Sequence, residues 1–168
     1  ALASEMLKNP VTISLQRQAA PAVGITQAAY PVTQQLKPTL LVELIKRGLM
    51  TQALVFTRTK HRANQLAESL VRSGLNAERI HGNRSQVQRT QALGGFKSGR
   101  YPVLVATNIA ARGIDVEALS HVINFDVPSA PEDYIHRVGR TGRAELTGEA
   151  FTFVSPDEES DLRTIERA

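Results

Sequence analysis

Cysteine and tryptophan are both absent from this 168-residue chain, and aromatic residues make up only 5% of it. Without cysteine there are no disulfides and no thiolate metal sites, and the redox compartment is left open. The scarcity of aromatics argues against a base-stacking platform of the single-strand-binding kind. Any nucleic-acid contact should therefore fall mainly on the backbone. No apolar run approaches the roughly 20 residues of a membrane span, and the first residues carry no signal-peptide pattern. Chemical signatures are missing too. There is no Gly-x-x-x-x-Gly-Lys-Ser/Thr phosphate loop and no Gly-x-Gly-x-x-Gly after a strand, so the chain does not by itself cradle a nucleoside triphosphate in the usual way. His61, His81, His121 and His136 are scattered, and none forms a His-x-x-x-His ligand pair. No Gly-x-Ser-x-Gly nucleophile elbow occurs.

What is present is an ordinary domain composition, 42% hydrophobic and 21% charged, enough for one domain with a real core. The net charge of +4 leans towards an anionic partner. Ala1 to Lys8 reads as the middle or end of a helix without an N-cap, as if cut from a longer protein. Val11 to Leu15 alternates like a short strand, and Gln16 to Gly24 reads as a linker.

From residue 25 onwards strand and helix patterns alternate. Strands are expected at Ile25–Val32, Ala53–Phe56, Asn76–Ile80, Val103–Ala106, Val122–Phe125 and Ala150–Val154. Helices are expected after Pro38, after Lys60, after the capping Ser85, over Glu132–Arg140 and over Asp157–Arg167. Several strands are short continuous apolar runs, as in a sheet covered on both faces. The pattern predicts an α/β fold, a parallel β-sheet flanked by helices on both faces. In such sheets ligands gather at the carboxyl ends of the strands. Polar residues fall there: Thr57 to Lys60, His81-Gly82, Thr107-Asn108 and Asp126.

Three stretches carry chemistry. The run His136-Arg137-Val138-Gly139-Arg140-Thr141-Gly142-Arg143 spaces three arginines three residues apart, with glycines between and no acid inside. That spacing brings side chains near one face of a helical turn, and guanidinium groups fork onto phosphate or carboxylate oxygens. Alone, the run fits a phosphate clamp and equally a solvated basic turn. Ala106 to Asp115 places a hydroxyl at a strand end (Thr107), a bridging Arg112, a permissive Gly113 and an acceptor, Asp115. It also fits a plain loop with a capping Asp. In His81 to Arg89, Gln86 and Arg89 stand one turn apart at a helix start, where the dipole favours anions. An ordinary helix cap would look the same.

Taken together and in this order, these stretches resemble the C-terminal, second RecA-like domain of DEAD-box ATP-dependent RNA helicases. Val55 to Lys60 resembles motif IV, Gln86-x-x-Arg89 after His81-Gly82 resembles motif IVa, Ala106 to Asp115 resembles motif V, and His136 to Arg143 matches motif VI at every fixed position. The wording around Phe56 to His61 is most similar to the bacterial RhlE-type branch. The resemblance covers about residues 25–155. It implies two parts: residues 1–24, the end of the first helicase domain and the interdomain linker, and residues 25–168, the RecA-like domain.

The resemblance also implies roles. Arg140 and Arg143 would be arginine fingers on the γ-phosphate of ATP, and Gly113 with Asp115 would meet its ribose. Thr59, Gly82, Arg89 and Thr107 would bind RNA, with Gln86 supporting Thr107. Gln86, Arg112, His136 and Arg137 would serve interdomain coupling. The partners implied are RNA and the first RecA-like domain, with no membrane, and the location implied is cytoplasmic. The Mg2+ that accompanies ATP would take its ligands from the first domain, and this chain supplies no metal site. Asn108 stands where the family often has Asp, which predicts a changed local hydrogen bond. The readings left open are half of another superfamily 2 helicase acting on DNA, and a non-catalytic RNA- or protein-binding module.

Overall fold

The computed structural model describes residues 24–111, 114, 116, 119–142 and 147–168. The expected strand at Val11–Leu15 and nearly all of the expected linker lie outside the described residues.

The described strands form one sheet in the order β1-β6-β5-β2-β4-β3, every pair parallel. They are β1 (Ile25–Pro31), β2 (Ala53–Thr57), β3 (Ala77–Ile80), β4 (Val103–Thr107), β5 (His121–Asn124) and β6 (Gly148–Val154). The helices are α1 (Lys37–Lys46), α2 (Lys60–Arg72), α3 (Gln86–Lys97), a single turn α4 (Asn108–Ala111), α5 (Pro131–Val138) and α6 (Glu159–Glu166), the last preceded by a 3-10 turn at Pro156–Glu158.

Side chains alternate across the pleat, and that alternation divides the core in two. Val55, Val103, Val105, Ile123 and Phe153 face Leu41 and Val42 of α1 and Ala63, Leu66, Ala67 and Leu70 of α2. Leu54, Phe56, Leu104, Ala106 and Val122 face Ala92 and Phe96 of α3 and Ala110 and Ala111 of α4. Burying each such aliphatic or aromatic side chain stabilises the fold by about 1.5–3 kcal/mol. The central strands are apolar on both faces because both faces are covered, as the unbroken runs at 53–56 and 103–106 predict.

Local chemistry sets the helix starts. Thr59 caps α2 by accepting from the Arg62 N–H at 3.3 Å. Ser85 and Gln88 form a reciprocal capping box on α3, at 3.3 and 3.0 Å. Pro131 begins α5, which carries Glu132 and Asp133 in its first turn and His136 and Arg137 in its last, matching the helix dipole at both ends. These boundaries deliver Thr59, Asn108, Asp126 and α5 to the same carboxyl edge of the sheet.

Behind that edge lies a buried ion pair that periodicity does not reveal. Lys37, fully buried, donates to the Phe125 carbonyl at 2.8 Å and to the Glu158 carboxylate. Glu158 also accepts from Val127 N–H at 3.1 Å and from Ser155 N–H and Oγ–H at 3.2 and 2.8 Å. Burial alone would raise the Glu158 pKa, but the hydrogen bonds from Lys37 and Ser155 and the Lys37 charge outweigh it and hold the carboxyl below its ordinary range. The pair ties the start of α1 and the last turn before α6 to the chain leaving β5.

Candidate active-site cleft at the carboxyl edge

A small cleft opens at the ends of β2 and β4, lined by Phe56, Asn108, Ala111, Asp133, His136, Arg137 and Arg140. Two of the three sequence stretches that carry chemistry meet here. The 106–115 stretch supplies Asn108 and Ala111, and the three-arginine run supplies His136, Arg137 and Arg140.

Arg137 is the fixed member. Only 3% exposed, it donates from Nε to Asn108 Oδ1 at 2.7 Å and from Nη1 to Asn124 Oδ1 and the Asp126 carbonyl at 3.1 and 2.7 Å. Its guanidinium carbon stands 5.1 Å from the centre of the Phe56 ring, a cation–π contact. Burial pushes its pKa down to about 10, against the opposing pull of Asp133 and Asp126, so it stays charged at neutral pH. The Nε and Nη1 donors of Arg137, expected from the sequence to serve interdomain coupling, are engaged inside this domain.

Asn108 is the hinge of the arrangement. While its Oδ1 accepts from Arg137, its Nδ2 donates to Asp133 Oδ2 at 2.9 Å. An amide supplies a donor and an acceptor at once, and a carboxylate would supply only acceptors. The Asn-for-Asp departure noted in the sequence thus changes the local hydrogen bonding: it lets one side chain bridge an arginine and an aspartate.

Arg140 is the adjustable member. The helix expected to reach residue 140 ends at Val138, and the chain continues through two tighter bonds, Arg140 N–H to the Arg137 carbonyl at 3.1 Å and Thr141 N–H to the Val138 carbonyl at 3.0 Å. Arg137 and Arg140 therefore differ in burial, one enclosed and one half-exposed. Among the described residues the Arg140 guanidinium makes a single long bond, Nη1 to the Ile114 carbonyl at 3.3 Å. Arg140 also lines the cleft, and among the described residues its remaining donors have no hydrogen-bond partner. Thr141 anchors the turn by donating to the Leu119 carbonyl. Gly142 then takes φ +58°, a left-handed conformation that favours glycine. His136 is exposed on the rim. Arg112, Gly113, Asp115 and Arg143 lie outside the described residues.

The residues expected to meet RNA line the same edge further along. Thr59 is exposed, its hydroxyl oxygen engaged as the α2 cap. Gly82 is exposed, and a Cβ there would meet nothing within 4 Å. Arg89 is half-buried and reaches the Ala110 carbonyl of α4 at 3.3 Å. Thr107 is half-buried at the end of β4. Gln86 opens α3 on the exposed side. Among the described residues its side chain makes no hydrogen bond to Thr107.

His81 shapes this end of the edge. It is buried, its Nδ1 accepts the Asn83 N–H at 3.3 Å, and its Nε2 lies 2.9 Å from Asn64 Oδ1. A backbone N–H can only donate, so the ring is the neutral Nε2–H tautomer. Burial, then the charges of Arg84, Arg79 and Lys60, lower its pKa and keep it neutral.

Sequence reasoning flagged Asp126 only as a polar strand end and missed Phe56, Asn124 and Asp133. The one available signal was a buried-strand sequence ending in Asn124-Phe125-Asp126, polar residues where an apolar run should continue.

An all-parallel sheet with helices on both faces, with a half-exposed arginine beside a buried one at its carboxyl edge, defines a RecA-like domain. Residues 36–145 match the helicase conserved C-terminal domain family. The chain is 43% identical over 166 residues to the DEAD-box ATP-dependent RNA helicase CshA of Bacillus subtilis (strain 168), covering 99% of this chain and 34% of that protein. In three dimensions it is similar to the E. coli DEAD-box protein SrmB, in a structure bound to regulator of ribonuclease activity A, with TM-score 0.81, 39% identity and 85% of each chain covered. It is also similar to a Saccharomyces cerevisiae (S. cerevisiae) Dbp5 variant bound to RNA and ADP BeF3, with TM-score 0.82, 31% identity, and 99% of this chain and 44% of that one covered. The chain belongs to the DEAD-box proteins and is their helicase C-terminal domain. It spans about a third of the length of the curated relatives it matches.

Proposed function

We propose that this chain is the second half of the active site of an ATP-dependent RNA helicase, working with a first RecA-like domain that holds the rest. The observation that carries the proposal is Arg140: half-exposed at the cleft, held among the described residues by one long bond, beside a buried Arg137 whose Nε and Nη1 are engaged inside the domain. A guanidinium so placed can move onto a γ-phosphate when a second domain presents one, at little cost to the fold. Arginine fingers of this kind stabilise charge in the phosphoryl-transfer transition state and contribute about 10³–10⁵ in rate.

In this reading Arg140 and Arg143 act on the γ-phosphate, and Gly113 and Asp115 meet the ribose. Arg112 and His136 face the first domain on closure. Arg137 keeps the cleft wall in register through Asn108. Thr59, Gly82, Arg89 and Thr107 bind the RNA backbone, with Gln86 beside them. These are hydroxyls, a bare backbone and one arginine, which suits binding without sequence readout. Among the described residues no group of three His, Asp or Glu side chains could hold a metal ion. The Mg2+ that accompanies ATP would be held by the first domain and would neutralise phosphate charge there. Among the described residues no helix is long and apolar enough to cross a membrane. The cytoplasmic location proposed for the protein rests on its kinship with DEAD-box RNA helicases.

The substrate class is short RNA duplexes, separated locally as the cleft closes and reset on product release. The chain alone should neither hydrolyse ATP nor unwind RNA. ATP turnover by the pure chain with RNA should stay at the blank, and robust turnover would overturn the split-site reading. Stimulation of the full-length protein by DNA and not by RNA would favour a DNA-acting helicase instead.

A further inference from the structure

We propose that β1 is a self-association edge, pairing antiparallel with β1 of a second copy of this chain across a twofold axis at Gln27. The sheet has two edges, and they are built differently. At one edge, β3 is four residues long and carries Glu78 and Arg79 in its middle. Short length and charge are the usual protections of an exposed edge against pairing. At the other edge, β1 runs seven residues, Ile25–Pro31, without a charge or a glycine. Its register with β6 is unbroken from Ile25 opposite Gly148 to Pro31 opposite Val154, so no bulge turns this edge away.

The phase of the hydrogen bonds fixes what the free edge offers. Val32 donates its N–H to the Val154 carbonyl at 2.9 Å, and the Gly24 carbonyl accepts from the Gly148 N–H at 3.2 Å. Even-numbered residues of β1 therefore face β6, and Ile25, Gln27 and Ala29 direct their N–H and C=O groups outward. Among the described residues no strand pairs with them. Pro31 also faces outward and has no N–H to offer. An antiparallel partner centred on Gln27 uses the three free donors and leaves Pro31 outside. Ile25 meets Ala29 of the other copy, Gln27 meets Gln27, and Ala29 meets Ile25, each pair exchanging two N–H···O bonds. The closer, non-hydrogen-bonded pairs set Thr26 against Ala28, both small enough for that spacing. No charge faces a like charge.

Both faces of β1 leave room for the side chains of an added strand. Tyr30 and Val32 line a groove of about 490 Å³ with Leu36, Leu40, Leu44 and Leu49, and Leu36 and Leu49 are 55% and 59% exposed. Gln27 and Ala29 line a second groove, of about 460 Å³, with Ile135, Val138, Leu162 and Ile165. Side chains of an added strand alternate between two such faces. Because β1 pairs with β1 and not with the charged β3 edge, the assembly closes at two copies. The cleft at the ends of β2 and β4 stands three strands from β1, clear of the pairing.

The test is sedimentation equilibrium of the chain over a wide range of concentration, where a monomer–dimer equilibrium is expected. Ala29→Pro removes an outward N–H that no bond within the sheet uses, so the fold should tolerate it. Each dimer loses two hydrogen bonds, and the dissociation constant should rise at least about tenfold. Gln27→Lys and Gln27→Glu each set like charges opposite one another at the twofold. Each alone should lose the dimer, and an equimolar mixture of the two should regain it. This charge swap also decides the matter if Ala29→Pro does not fold. A wild-type chain that stays monomeric at every concentration would overturn the proposal. So would a dimer that neither the proline nor the charges disturb, or a monomer that captures only a foreign extended peptide.

Discussion

Replacing Lys37 by Met should destabilise the isolated domain more than its position near the edge of the fold implies. The ammonium is fully buried and serves two acceptors, the Phe125 carbonyl and Glu158. Removing one partner of a buried pair costs about 3–5 kcal/mol, because the other charge stays behind. Here Glu158 retains three donors, from Val127 and Ser155, and Arg58 at 3.8 Å, which places the expected loss near the lower end, about 3 kcal/mol. For a domain of this size that is a fall in Tm of roughly 6–12 °C. The sign with pH follows from the carboxylate. In the wild type the folded pKa of Glu158 is depressed, so its contribution is present above the unfolded pKa and is lost as pH falls through the folded one. Without Lys37, burial is opposed only by the remaining hydrogen bonds and the folded pKa rises, so acid relieves the variant. The stability gap should therefore narrow as pH falls from 7 towards about 4. Adding Glu158→Gln to Lys37→Met should recover part of the loss, since no charge then remains unpaired. Thermal and urea unfolding followed by circular dichroism measure all three quantities. A gap under about 1 kcal/mol at neutral pH, or one that does not change with pH, would refute the reasoning.

Three further outcomes are expected. Gly148→Ala should cost about 1–3 kcal/mol in urea unfolding, because its Cβ would overlap Thr141 Oγ1 and stand 2.5 Å from the Gly142 N. The same clash should disturb the Arg140 turn and slow ATP hydrolysis by the full-length protein. Asn108→Asp would set a carboxylate where an amide now donates to Asp133 at 2.9 Å, with Arg137 as partial compensation. Stability at pH 7 should fall by about 1 kcal/mol, read by the same unfolding experiment. His81→Gln should flatten the pH dependence of stability. The lowered folded pKa of His81 makes its contribution full above the unfolded value near 6.5 and lost as pH falls below it, so the wild type should weaken between pH 7 and 5 where the variant does not.

Much of the fold was legible because short buried strands and capped helices announce themselves. Ala53–Phe56 and Val103–Ala106 are apolar on both faces, Ser85 precedes a Gln at the reciprocal capping position, and Pro131 marks a helix start. The strand order was not legible, since no local pattern records that β2 lies between β4 and β5. The end of α5 was placed two residues late because Arg140 satisfies helical spacing, while Gly139 lets the chain tighten there. At the cleft, residue identity pointed to the right stretches but not to the directions of their side chains. Three arginines at equal spacing read alike, yet the first is enclosed against Phe56 and bonded to Asn108, Asn124 and Asp126. Lys37 carried no signal in the sequence. Its burial depends on Glu158, more than a hundred residues away, and no pattern along the chain connects them.

The central claim is that Arg140 belongs to a phosphate site completed by another domain. It is tested most directly by the RNA-stimulated ATP turnover of the full-length protein carrying Arg140→Ala. The account predicts a fall in kcat of about 10³ or more, with thermal stability nearly unchanged because, among the described residues, only the long bond to the Ile114 carbonyl is lost. A variant turning over ATP at the wild-type rate would contradict it.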